Sequence, residues 1–239
     1  MSRFASKPPA RKPFSWSYSR LKNFETCAFR HQQIDIEKAV AEADSQQLKD
    51  GNEAHEVLSA AVTGKALPSK WAHYQPWVDR LTSRGNDTIY VEQKLALSSD
   101  MRGVAFFAKD AWFRGVVDYL KIVETPAGAV ALLVDWKTGK RVDDAVQLAL
   151  FAQMVFAHYP QVVRVRTEYV WLAEGVDLEN TTREDFTPAD MKDLWAALNP
   201  RIEALQYAWE TNSYPANPGR LCRSWCPVNS CEYHGKGMR

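Results

Sequence analysis

Apolar residues recur at helical spacing in the first third of the chain, at strand spacing in the middle and at helical spacing again towards the end. Ser17 or Ser19 is placed to cap a helix through YSRLKNFETC, with Leu21, Phe24 and Phe29 turned inward. SQQLKDGNEAHEVLSAAVTG predicts a second helix, in which Leu48, Ala54, Val57, Leu58 and Ala61 share a face and Gly64 supplies the stop. Gly51 lies inside that helix, where glycine costs about 1 kcal/mol relative to alanine, so a close neighbour is expected there. A further helical segment is predicted over about 68–84.

The period then shortens to two. TIYVEQKLAL predicts a half-buried strand with Ile89, Val91, Leu95 and Leu97 on one face and Tyr90, Glu92 and Lys94 on the other. AWFRGVVDYLKIVE and AVALLVDWK predict two more strands joined by TPAG, whose proline and glycine suit a tight reversal. A helix follows in DDAVQLALFAQMVFAHYP, then a strand in VRVRTEYVWLA. A long helical region starts at Thr187 as N-cap and meets Pro200, which predicts a kink or break. Helices, strands, helix, strand, helices is the order of an α/β chain built around a central sheet, and there is no internal repeat.

Composition narrows the class. The 239 residues, 46% of them hydrophobic and 12% aromatic, suffice for a substantial core, and 30 basic against 29 acidic residues leave the total charge uninformative about a polyanionic partner. No apolar run is long enough to span a bilayer and the N-terminus lacks a secretory pattern, so no membrane association and a cytoplasmic location are expected. Residues 1–13, rich in proline, lysine and arginine, read as a flexible basic arm; residues 14–239 read as one domain. Its expected parts are a helical region (17–84), an α/β core (85–175), and C-terminal helices with a cysteine cluster (187–239).

Candidate chemistry sits at the end of the AVALLVDWK strand. Alternation puts Asp135 and Lys137 on one face and Val134 and Trp136 on the other, and a hairpin with the preceding strand could set Asp118 beside Asp135. Adjacent carboxylates repel unless they share a proton or a divalent cation neutralises both, and oxygen ligands suit Mg2+ or, with an imidazole, Mn2+. Taken alone, this pattern also fits a strand-end salt bridge. KTGK is not a phosphate loop, because Val134 and Arg141 stand where that loop needs glycine and Ser or Thr.

In order, GNEAH, GVVD, LLVDWKTGK and a helix beginning near Gln147 resemble the RecB-type branch of the PD-(D/E)xK nucleases, as in RecB, AddB and the iron–sulfur nucleases of CRISPR adaptation. The resemblance spans about residues 17–235. It implies a restriction-endonuclease-like core with a central mixed β-sheet flanked by helices, and a metal-dependent DNA exonuclease. The expected substrates are single strands or duplex ends, and the expected partners are recombination, repair or replication proteins. It implies His55, Asp118, Asp135 and the Trp136 carbonyl as metal ligands, Lys137 as the residue acting on water and phosphate, Gln147 as a supporting and DNA-contacting group, and Glu92 as a further acidic residue. Position 151 is Phe where the QxxxY motif of the family has Tyr. The small form suits a stand-alone phage or bacterial nuclease; the alternative is an inactive DNA-binding or assembly subunit with the same fold.

Cys27 stands before this core, and Cys222, Cys226 and Cys231 follow it, as in the cluster-bearing relatives. That arrangement implies a structural [4Fe-4S] cluster; the competing reading is Zn2+ on Cys222, Cys226, Cys231 and His234. Among nine tryptophans, Trp16, Trp77 and Trp225 are the candidates for stacking on bases. Lys22, Arg30, Arg102, Lys109, Arg114, Lys140 and Arg141 are candidates to line a phosphate path.

Overall fold

The computed structural model describes residues 13–236 apart from 42–45, 83, 84, 86, 143, 176, 178 and 180. Residues 1–12 of the expected basic arm, and the side chain of Leu48, lie outside the described residues.

Ser17 caps the first helix, accepting the Arg20 N–H. This is α1 (Tyr18–Thr26), followed by α2 (Ala28–His31), which runs into a π-helical turn at Gln32–Ile36. Next come α3 (Gln46–Val62), which stops before Gly64 at φ +103°, a 3₁₀ turn (Ser69–Tyr74) and α4 (Gln75–Leu81). Six strands follow: β1 (Thr88–Leu97), β2 (Gly103–Val104), β3 (Phe113–Val123), β4 (Ala129–Lys137), β5 (Val162–Trp171) and β6 (Thr181–Phe186). Between β4 and β5 lies α5 (Val146–His158); α6 (Met191–Thr211) and α7 (Leu221–Ser224) close the order. The short β2 and the edge strand β6 carry no apolar run to announce them; pairing with β1 and β5 creates them. Pro200 neither ends nor splits α6. Thr187 and Asp190 form a capping box at the 3₁₀ turn leading into it.

The strands form one mixed sheet in the order β2-β1-β3-β4-β5-β6. Only β4 and β5 run parallel, and α5 is the crossover that such a pair requires. The sheet is covered on both faces. One face packs Leu95, Phe113, Leu133 and Val165 against Leu21, Leu150, Met154 and Leu198, so α1, α5 and α6 lie on that side. The other packs Val134, Trp136 and Val170 against Ala54, Leu58, Trp77 and Leu81 of α3 and α4. This is the mixed α/β restriction-endonuclease-like architecture expected from the sequence.

The expected alternation of β1 fails at Glu92. Ile89 and Val91 pack on the α3/α4 face, whereas Leu95 and Leu97 pack on the α5 face. The opposing strand inverts at the same level, with Val117 on the α5 face but Tyr119 on the other. Glu92 adopts φ +51°, and it is the one position skipped in an otherwise unshifted β1–β3 register. A left-handed residue in a strand reverses the direction of the side chains beyond it, which a sequence pattern of period two does not reveal.

A buried ion pair fastens α4 to the sheet. Glu168 on β5 is fully buried and accepts two hydrogen bonds from Arg80, each 2.7 Å long, with Arg183 at 3.3 Å. Arg80 also lies 5.0 Å over the Trp77 ring. Arg80→Ala strips the main partner from a buried carboxylate and should lower unfolding stability by about 3 kcal/mol in denaturant titrations. Glu168→Gln in the same background should recover part of that loss.

Candidate active site

The inversion at Glu92 lies beside a fork between β3 and β4. The two strands pair from Val123↔Val130 to Tyr119↔Val134 and no further. At the next position, where Asp118 would face Asp135, the Asp118 side chain takes over: Oδ2 accepts the Trp136 backbone N–H at 2.8 Å. The N–H freed by the parting strands is thereby satisfied, and a buried carboxylate is fixed in the fork. Trp136 remains in register with Val170 of β5, its ring edge-on to Trp77.

His55 reaches this fork from α3. A Cβ at Gly51 would stand 3.0 Å from Thr138 Oγ1, so the close neighbour expected at this glycine is the residue just after Lys137. That approach lays the helix over the end of β4 and puts His55 Nδ1 3.2 Å from Asp118 Oδ2. Glu92, held by Ser59 Oγ at 3.2 Å, completes a trio: one ligand atom each from His55, Glu92 and Asp118 lies within 4.8 Å of the others. Gly51, Asn52, His55, Glu56, Ser59, Glu92 and Thr138 line an open cleft of about 600 Å³ around it.

Asp135 adjoins this trio without joining it. The expected sharing of a face with Lys137 is realised as an ion pair, Nζ to Oδ2 at 2.6 Å. Gln147 bridges the two, its Nε2 donating to Asp135 Oδ1 and its Oε1 accepting from Lys137 Nζ, each at 3.3 Å. Burial, and then the Asp118 charge, push the Asp135 carboxyl up to about 6 despite Lys137 and His55. Burial and Asp118 likewise raise Glu92. Burial works against the imidazolium of His55, but the hydrogen bond and charge of Asp118 outweigh it and hold its pKa above the ordinary value. Three carboxylates thus crowd Lys137 and His55, and the oxygen and imidazole donors suit a divalent cation.

Two features escaped the sequence reading. Tyr169, beside Asp135 in the parallel register, directs its hydroxyl to Gln147 Oε1 at 3.2 Å. Its only advance signal was a tyrosine in an apolar strand. Phe151 is buried, and its ring occupies the space that a side chain at Gly115 would need.

The four cysteines meet elsewhere. Cys27, Cys222, Cys226 and Cys231 line one cavity of about 200 Å³ with Phe29, Pro218 and Val228. Backbone N–H groups of Asn217 and Gly219 point at Cys27 Sγ and Cys222 Sγ, at 3.3 and 3.4 Å. His234 is exposed and does not line the cavity. Two of the base-stacking candidates are excluded, since Trp16 and Trp77 are fully buried in the two cores, whereas Trp225 is 79% exposed. Much of the expected phosphate path is already engaged. Lys22, Arg102 and Arg141 pair with Asp144, Asp100 and Glu174, Arg30 donates to Asn23, and Arg114 donates to backbone carbonyls of Phe106 and Ala108. Lys109 and Lys140 are exposed.

A sheet that forks beside a cation-demanding trio, with Asp135 and Lys137 on the adjoining strand end, is the core of a metal-dependent nuclease. The chain belongs to the PD-(D/E)XK nuclease superfamily, which it matches over residues 15–231. No curated protein matches it. A solved structure titled "Crystal structure of SSO0001" is similar at 11% identity and TM-score 0.45, covering 94% of this chain and 89% of that one. No helix among the described residues is long and apolar enough to cross a membrane.

The raised Asp135 pKa fixes the sign of a pH effect in metal-free protein. The unfolded value is about 3.9 and the folded value about 6, so the native state holds this proton more tightly. Stability from this group is therefore full below about pH 4 and is lost as pH rises through 6. Asp135→Asn, which cannot ionise, should gain melting temperature relative to the wild type in EDTA as pH rises from 4 to 7. A difference that shrinks over that window would refute this charge balance.

Proposed function

We propose that this protein is a RecB-like DNA exonuclease that uses Mg2+ or Mn2+ to hydrolyse phosphodiester bonds at single strands or duplex ends, in recombination, repair or replication. The observation that carries the reading is the convergence at the fork of His55, Glu92 and Asp118 beside the Asp135–Lys137–Gln147 group, in a chain of this superfamily. His55, Asp118 and Glu92 would hold the cation, with Asp135 and the Trp136 backbone carbonyl offering further oxygens beside them. A bound divalent cation supplies charge neutralisation on phosphoryl oxygens and a more acidic bound water. Lys137 orients the attacking water and offsets charge on the scissile phosphate from a partly dry position, where a fixed charge counts for more than in water. Gln147 keeps the carboxylate and the ammonium at fixed separation. Trp225, 79% exposed and next in sequence to Cys226, supports single-strand contact through a base-stacking face.

The cysteine lobe fits a [4Fe-4S] cluster held by Cys27, Cys222, Cys226 and Cys231. Tetrahedral zinc would draw its sulfurs to about 3.8 Å of one another, given Zn–S bonds of about 2.3 Å. Among the described residues, the three ligand atoms gathered within 4.8 Å belong to His55, Glu92 and Asp118, not to the cysteines. Sulfurs spread around a shared cavity, with backbone N–H donors aimed at two of them, support the larger group.

Lys137→Ala should lower the rate of hydrolysis of end-labelled DNA about 10²- to 10³-fold in Mn2+ while the protein stays folded. Undiminished cutting by this variant, or binding of DNA without degradation by the wild type, would reject the reading, the latter in favour of an inactive binding subunit. Mn2+ should raise the melting temperature of the wild type and not that of Asp118→Ala. The purified protein should be brown, and Cys27→Ser should bleach it. A colourless, zinc-containing protein that tolerates Cys27→Ser would decide for zinc.

A further inference from the structure

We propose that Tyr169 is a positioning residue for Lys137, acting through the side-chain amide of Gln147; the proposal rests on the roles given above to those two residues. Tyr169 is 2% exposed, and its single hydroxyl hydrogen is shared between two acceptors, Gln147 Oε1 at 3.2 Å and the Asp144 carbonyl at 3.1 Å. Its ring carries Lys137 Nζ above it, 4.9 Å from the centroid. Lys137 is thus confined by the Asp135 carboxylate, by the Gln147 amide oxygen and by an aromatic face.

The amide can stand only one way round. Reversed, its NH₂ would meet the Lys137 ammonium and its oxygen would meet the Asp135 carboxylate. The Tyr169 hydroxyl is a second donor to the same oxygen, so it favours the orientation that joins Lys137 to Asp135. Asp144 keeps the hydroxyl in place from behind. Its Oδ1 accepts the Val146 N–H at 3.3 Å, at the start of α5, and the Tyr18 hydroxyl at 2.6 Å from α1. The entry to α5, which presents Gln147, is therefore held by two tyrosines, one from α1 and one from β5. Phe151, buried against Gly115, has no hydroxyl to offer; Tyr169 brings one to Gln147 from the neighbouring strand.

Tyr169→Phe deletes the hydroxyl alone. With saturating Mn2+, kcat for DNA hydrolysis should fall about tenfold, the effect of one lost hydrogen bond, with KM for DNA and the Mn2+-induced melting shift unchanged. In a Gln147→Ala background the same change should alter kcat by less than about twofold, because the hydroxyl acts through the missing amide. A wild-type kcat in Tyr169→Phe, a full loss in the Gln147→Ala background, or a lost melting shift would each overturn the proposal. Lys137 can also be watched without turnover, by NMR of protein labelled at the lysine ε-carbons, its signal identified by disappearance in Lys137→Ala. That signal should move in Tyr169→Phe, and an unmoved one overturns the proposal whether or not the protein cuts DNA. A moved signal in a wild type that fails to cut DNA supports the proposal and counts against the nuclease reading alone.

Discussion

The hydrogen bond from the Trp136 N–H to the Asp118 carboxylate is the contact on which the site depends. It lets β3 and β4 part without leaving a buried donor unsatisfied. It also fixes the buried Asp118 carboxylate in the gap. Once the strands part, α3 can lower His55 into the gap, and the left-handed Glu92 can turn its carboxylate to the same place. A non-glycine residue in that conformation costs roughly 1–2 kcal/mol. The strain sits where the ligands converge, as such strain commonly does.

The charges there are unbalanced by design of the fold. Asp118, Asp135 and Glu92 face His55 and Lys137, and the raised pKa values of Asp135 and Glu92 record the cost of ionising them together without a further cation. Lys137 and Gln147 occupy Asp135 from the α5 face, whereas His55 and Glu92 address Asp118 from the cleft. The fork is therefore the border between a region suited to a divalent cation and a region that manages a lysine.

The ends of the described chain are tied to this centre. Asn217 contacts Cys27 through its N–H and the carbonyl of Thr26 through its side chain, and Arg201 of α6 grips Glu25 of α1 in two hydrogen bonds. From α1, Tyr18 continues to Asp144 at the start of α5. The cavity lined by the four cysteines thus adjoins α1, the helix from which Tyr18 reaches the start of α5.

The sequence by itself determined the elements with strong periodicity and the residue types of the site. The hairpin of β3 and β4, the crossover helix, the Asp135–Lys137 face and the close neighbour of Gly51 all follow from rules acting within a few residues. What only the tertiary structure decided were effects of distant segments meeting. These include the inversion at Glu92, the edge strands β2 and β6, the burial of Trp16 and Trp77, and the continuity of α6 through Pro200. The division of Asp118 and Asp135 between two sets of partners is of the same kind. Local spacing tells which way a side chain points from its own strand, but which charge it meets is set by the fork and by helices about 60 residues upstream and 10 downstream.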